Sequence, residues 1–297
     1  MDKKEIILPR QKQQVLDRTV SRLSKIEGVA AVVLGGSYAS GTQHKNSDLD
    51  IGLYYFEDRP FSIEAVRQVA QEIAIDGSPT VTGFYEWGAW VNGGAWIQSR
   101  QGKIDFLYRN IHQVQQTIAD AHQGIVHHDY DQQPTNGFYS VIYLAEIQIC
   151  IPLYDPEMLL AGLKEQVKTY PPKLKQSIIA NSLWSAEFTL LHARGFATRG
   201  DIYNTTGCLV RAASNLTQAL FALNERYFIR EKMVMDVIAS FPVLPSGYVH
   251  QINRILARPG STKPGLVKTV REMEKAWQSV VSLPGTQYEP LFKMEGK

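Results

Sequence analysis

Residues 32–55, VVLGGSYASGTQHKNSDLDIGLYY, constrain this chain more than any other stretch. A Val-rich apolar run stops at Gly35-Gly36-Ser37, and the chain enters a second apolar run, residues 49–55, at a pair of aspartates, Asp48 and Asp50. Both runs read as buried strands. Asp is a poor strand former and neighbouring carboxylates repel, so the pair is costly unless a cation compensates it. Strand side chains alternate between faces, which sends Asp48 and Asp50 to the same side. Glycines let a backbone approach a phosphate, and the amides opening a short helix after the turn favour an anion. The Ser37 hydroxyl adds a donor. Two carboxylates beside such a cradle suit Mg²⁺, a hard ion that binds through one or two carboxylates plus the phosphates of a substrate.

The pattern around this stretch alternates. Residues 11–27 carry Leu16, Val20, Leu23 and Ile26 at helical spacing, with Gly28 as the residue that ends the helix. Strands are expected at 29–34 and 49–55, and a helix at 62–74 with Ser62 as its N-cap. Residues 80–109 read as a meander with turn signals at Asn92-Gly93-Gly94 and Gln101-Gly102. A helix at 110–122, ended by Gly124, leads into the polar stretch 127–137, where a domain boundary is expected. Beyond it the signal is helical. Asp155-Pro156 reads as an N-cap and first helical residue. Pro171-Pro172 interrupts the pattern, a long segment runs from Leu174 to Gly195, and another occupies 204–228. Shorter helices are expected at 231–240, 247–257 and 266–282. The expected fold is an α+β N-terminal domain over 1–130, a mixed sheet flanked by helices, followed by an all-α helical bundle over 131–297.

Composition sets bounds on partners. A hydrophobic share of 44% and a charged share of 20% describe a chain able to bury a sizeable core. The net charge of +2 gives no case for a nucleic-acid or membrane surface. No apolar run approaches the about 18 residues needed to span a bilayer. The opening MDKKEIILPRQKQQ lacks the apolar core of a signal peptide, so a cytoplasmic location is expected. Cys150 and Cys208 lie in apolar helical contexts without C-x-x-C spacing and read as buried structural thiols.

Gly35-Gly36-Ser37 followed by Ser47-Asp48-Leu49-Asp50 resembles the signature of the polymerase-β-like nucleotidyltransferase superfamily, in which a later strand supplies a third carboxylate. Asp105 in GKIDFLYR fills that place, flanked by Ile104 and Phe106 at strand spacing. The resemblance spans Gly35 to Asp105. It implies Mg²⁺-dependent transfer of a nucleoside monophosphate from an NTP, ATP in the first instance, to a hydroxyl acceptor, with pyrophosphate leaving. Asp48 and Asp50 would hold two metal ions and Asp105 the one nearest the acceptor oxygen, while Gly35, Gly36 and Ser37 would bind the β and γ phosphates. The alternatives are an ordinary turn with Asp48 as a cap and Asp105 exposed, or a nucleotide-binding fold without catalysis that senses NTP. The sequence of an α/β part and a helical part is also similar to the layout of aminoglycoside and lincosamide nucleotidyltransferases, which implies a small hydroxylated acceptor. A protein side chain is the other acceptor class.

Further candidates are open at this level. Glu86 and Glu187 are possible general bases; Glu86 reads equally as a solvated hairpin residue and Glu187 as half of an ion pair with Arg194 or Arg211. Trp87, Trp90 and Trp96 can stack on a base or acceptor ring, or fill a core. His44 lies between the turn and Asp48 in a loop. His127-His128-Asp129 has no second His or Cys cluster nearby and reads as a surface loop. Arg211 and Lys232 are long cations able to reach a triphosphate or to make helix-surface contacts. A helical ribonuclease reading needs an Arg followed closely by a His, and neither Arg194 nor Arg211 has one.

Overall fold

The computed structural model describes residues 8–292. The chain opens with α1 (Arg10–Leu23), β1 (Ala31–Leu34), α2 (Gly36–Ser40), β2 (Leu49–Tyr55), α3 (Ile63–Ile73), β3 (Thr80–Val81), β4 (Gly94–Ser99) and β5 (Gly102–Asn110). It continues with α4 (Ile111–His122), β6 (His128–Asp129), β7 (Phe138–Tyr139), α5 (Val141–Ile149), β8 (Ile151–Tyr154) and α6 (Leu159–Gln166). The rest is helical: α7 (Pro172–Arg199), α8 (Ile202–Leu223), α9 (Val234–Ala239), α10 (Tyr248–Ala257) and α11 (Lys263–Val281). The chain forms two compact units. The first runs to Ala119 and resumes over His128–Thr169; the second takes Asp120–His127 and the chain from Tyr170 onward.

In the first unit six strands form one mixed sheet in the order β3-β4-β5-β2-β1-β8. β2 and β5 are parallel, and the other neighbours are antiparallel. Leu49, Ile51, Leu53 and Tyr55 of β2 and Ile104, Phe106 and Tyr108 of β5 join a core with Leu16 and Leu23 of α1 and Val66, Val69 and Ala70 of α3. Alternation sends Asp50, Gly52 and Tyr54 of β2 and Lys103, Asp105, Leu107 and Arg109 of β5 to the opposite face. Ser62 caps α3 by accepting from the Ala65 amide at 3.3 Å, as its position before the apolar spacing implies.

Local pattern misplaced several features. Residues 82–93 form no strand; they wind as a loop into β4, so Asn92-Gly93-Gly94 ends that loop instead of joining two strands. The segment 131–169, expected to open the helical part, belongs by its contacts to the first unit. It contributes β8, four residues that pair with β1 and contain Pro152, as an edge strand can. Asp155 is not the residue directly before a helix. Its carboxylate instead reaches forward to the amides of Leu160 and Ala161 in α6 (3.0 and 3.4 Å).

In the second unit α7 and α8 pack along each other, with α11 against both and α10 against α8 and α11. Trp277 of α11 is fully buried and its indole donates to the Leu183 carbonyl of α7 at 3.1 Å. Gly195 does not end its helix. α7 runs on to Arg199 and closes on Gly200, whose φ of 75° is the left-handed cap. Asp201 then caps α8 through the Asn204 amide at 3.0 Å. Among the described residues no helix is long and apolar enough to cross a membrane.

Candidate active site

The turn after β1 is fastened to the start of β2. The Gly35 amide donates to the Asp50 carbonyl at 2.8 Å, and Gly36 then lies against the Asp50 side chain. A Cβ at Gly36 would stand 1.7 Å from Oδ2 of Asp50, at a φ of +58° that already disfavours side chains, so only glycine fits. Ser37 follows in α2, which is a single turn of helix. On the other flank, Lys12 of α1 donates to the Ser47 carbonyl at 2.5 Å and lies over the Tyr38 ring, which ties the loop ahead of Asp48 to α1 and α2.

Asp50 is paired in register with Asp105 across the parallel strands β2 and β5, so the two carboxylates leave the same face one strand apart. Between Asp105 and Asp48 stands Lys103. Its ammonium is 2.7 Å from Asp105 Oδ2 and 3.8 Å from Asp48 Oδ2. Lys103 was missed in the sequence, although a lysine two residues before Asp105 in a strand must share its face. Burial pushes the Asp105 carboxyl above the usual carboxylate range, against the pull of Lys103. Burial pulls the Lys103 ammonium down, yet its hydrogen bond to Asp105 and the charges of Asp105, Asp48 and Asp50 leave it raised. Both shifts favour the protonated form, which is neutral for Asp105 and charged for Lys103, so they differ on whether the pair is ionised. The geometry, an ammonium in direct contact and one-third exposed, favours the ionised form.

Among the described residues no group of three His, Cys, Asp or Glu side chains is arranged to hold a metal ion, and Lys103 is the cation between two of the three aspartates. The donor set nonetheless fits a hard divalent ion. It is all carboxylate, and Oδ1 of Asp105 is a buried oxygen with no hydrogen-bond partner, which costs free energy unless a cation or donor meets it.

The remaining candidates separate cleanly. Glu187 is fully buried and accepts from the Tyr288 hydroxyl (2.5 Å) and the Leu291 and Phe292 amides (3.2 and 2.7 Å); it pins the C-terminal segment of the second unit. The expected arginine partner is absent there, because Arg194 pairs with Glu274. Glu86 is exposed in the 82–93 loop beside Gly83. Trp90 packs against Phe138 and Tyr143, whereas Trp87 and Trp96 lie ring on ring, 3.7 Å between centroids. His44 is exposed and its ring accepts from the Asn46 amide. His127 pairs with Asp120, and His128 stacks on Tyr139. Arg211 and Lys232 are exposed on the second unit. Cys150 is buried and its thiol is pushed up to about 11 by burial, while Cys208 is only half-buried.

Residues 16–92 match the family model of the nucleotidyltransferase domain, a range that holds Gly35, Gly36, Ser37, Asp48 and Asp50 and ends before Asp105. Residues 142–232 match a second family, the domain of unknown function DUF4037. No curated protein matches the chain. Among solved structures it is similar to a nucleotidyltransferase-like protein from Exiguobacterium sibiricum 255-15, at 10% identity and a TM-score of 0.47, over 91% of this chain and 76% of the other. With the matched domain, the mixed sheet and the turn-and-aspartate arrangement together, the chain is a transferase whose N-terminal part belongs to the polymerase-β-like nucleotidyltransferase superfamily.

Proposed function

We propose that the protein transfers a nucleoside monophosphate, AMP from ATP in the first instance, to a hydroxyl of a small acceptor with release of pyrophosphate, and that the reaction depends on Mg²⁺. The observation that carries this reading is the pairing of Asp50 with Asp105 on one sheet face beside the Gly35–Ser37 turn, with one Asp105 oxygen unpartnered. Asp48, Asp50 and Asp105 would hold the ions, whose charge would offset that developing on the phosphoryl oxygens. The first-turn amides of α2 have no acceptor within the helix and, with the Ser37 hydroxyl, bind the β and γ phosphates. Asp105 orients the acceptor hydroxyl. That oxygen forms the new bond to the α phosphorus, the bond to pyrophosphate breaks, and the proton leaves to solvent. Lys103 neutralises the carboxylates until nucleotide binds and then yields its place, turning toward the triphosphate. Catalysis of this kind is positioning and charge stabilisation.

The test is incubation of the purified protein with Mg²⁺ and each α-labelled NTP, with and without a panel of hydroxylated small molecules. Asp50→Ala and EDTA serve as controls. Label on a small molecule, lost in both controls, supports the proposal. NTP binding with no movement of label makes the protein a nucleotide sensor, and label moving into protein makes a side chain the acceptor.

A further inference from the structure

The three aspartates are held in different ways. Asp50 and Asp105 stand inside paired strands and are register partners of each other. Asp48 lies one residue ahead of β2, outside the strand ladder, at the end of the loop 41–48. Its place therefore depends on Ser47, which is buried and engaged through three groups. The Ser47 amide donates to the His44 carbonyl at 2.9 Å, and its hydroxyl accepts from the His44 amide at 2.9 Å. These two bonds close a turn within the loop. The Ser47 carbonyl accepts from the Lys12 ammonium at 2.5 Å, which ties that turn to α1, thirty-five residues earlier. This carbonyl shares a rigid peptide plane with the Asp48 amide, so fixing it sets the direction in which the Asp48 side chain departs.

Lys12 stands where the parts of the site meet. Its ammonium is 5.2 Å from the centre of the Tyr38 ring, on α2 next to Ser37. A Cβ on Gly102, the first residue of β5, would lie 4.0 Å from it. One cation thus sits at α2, at the entrance to β2 and at the entrance to β5, the elements that bring Ser37, Asp48 and Asp105. Among the described residues it meets no carboxylate, so its charge is given to a carbonyl and a ring face. A charged donor makes such a hydrogen bond about twice as strong as a neutral one. The approach is from behind: α1 packs on the sheet face of Leu49 and Ile104, opposite the one that carries Asp50 and Asp105. Lys103 stands between carboxylates, whereas Lys12 holds the loop and leaves their front open to a ligand.

We propose that Lys12 is a positioning residue of the transfer reaction: by holding the Ser47–Asp48 peptide at the entrances of β2 and β5, it keeps the Asp48 carboxylate aligned with Asp50 and Asp105. A misplacement of about 1 Å at a reacting centre costs about 10²-fold in rate. The inference rests on the nucleotidyl-transfer reading above, so ATP binding and label transfer by the wild-type protein are measured first. Lys12→Met keeps an apolar stem of similar reach and removes the ammonium, while Lys12→Arg keeps a charged donor. Label transfer is followed at varied ATP and at varied Mg²⁺, and Mn²⁺ binding is read by calorimetry with a non-reactive ATP analogue bound. Lys12→Met should lower kcat about 30-fold and weaken Mn²⁺ binding about tenfold, with the ATP KM within about twofold of wild type. Lys12→Arg should recover most of both losses. The proposal is overturned if the wild type transfers label and Lys12→Met leaves kcat and Mn²⁺ affinity within about twofold. It is also overturned if Lys12→Met raises the ATP KM and leaves Mn²⁺ affinity unchanged, which would make Lys12 a phosphate ligand, or if Lys12→Arg recovers nothing. Should Lys12→Met fail to fold by circular dichroism, Lys12→Gln is read against the same outcomes. A wild-type protein that neither binds nor turns over ATP overturns the underlying reading, and the positioning role with it.

Discussion

Two ends of one strand face carry opposite solutions to the same problem. At the C-terminal end of β5, Arg109 is buried and its guanidinium meets Glu146 through two nitrogens, at 2.7 Å each. Burial alone would lower the Arg109 pKa, but the Glu146 carboxylate outweighs it and holds the fork charged. Two further bonds run from Arg109 to the carbonyls of Val91 and Tyr108. Toward the strand's start, Lys103 meets Asp105 through one point charge, is one-third exposed, and leaves Oδ1 of Asp105 unpartnered. A planar fork with every nitrogen engaged locks a structure, whereas a hydrated point charge on a flexible stem is replaceable. The first end secures the fold; the second leaves one carboxylate oxygen without a hydrogen-bond partner.

The largest effect that distinguishes these ends is on rate. Asp105→Asn should lower label transfer by on the order of 10³-fold, about 4 kcal/mol of barrier, with little change in the urea unfolding midpoint. Transfer within tenfold of wild type would remove Asp105 from the site. Arg109→Met should do the reverse. It strands the Glu146 carboxylate among buried groups and should cost about 3 kcal/mol in urea unfolding, while activity per folded molecule stays close to wild type. A loss under about 1 kcal/mol would make the fork as replaceable as the lysine, and the contrast would fail.

The smallest effect is at Lys103. Lys103→Met should change stability at neutral pH by less than about 1 kcal/mol. It should also tighten Mg²⁺ binding, read by calorimetry, because the resident cation no longer competes. Burial already raises the Asp105 carboxyl, so the protonated form stabilises the fold below the usual aspartate range and that contribution is lost as pH rises through the folded value. Removing the Lys103 charge raises it further, so in the variant the loss should move to higher pH in urea midpoints taken across the acidic range. An unchanged profile together with weaker Mg²⁺ binding would mean that Lys103 supports the ion instead of competing with it.

How much of this was legible in the sequence depended on the range of the physics involved. β2 falls on residues 49–55 as the apolar run implied, and the Ser62 cap closes over a neighbouring amide, because these are contests among adjacent residues. Gly36 was legible as a turn residue, but not the reason for it, which is the Asp50 carboxylate from the next strand. Glu187 looked like half of an ion pair from its apolar flanks. Its partners arrive from about a hundred residues later in the chain, as hydroxyl and amide donors no spacing rule points to. β8 was invisible, since four residues containing a proline become a strand only when β1 is there to pair with them.

By itself the sequence determined the chemistry available: a glycine turn, two aspartates on one strand face, a third in a later strand, and helices after them. Those follow from backbone periods of two and 3.6 residues, which are local. Only the tertiary structure decided which groups are neighbours. It set Asp50 beside Asp105, put Trp96 one strand further, gave Lys103 to two carboxylates at once and left one Asp105 oxygen without a partner. Strand order, register and burial are set by contacts between residues far apart in the chain, and no local period encodes them.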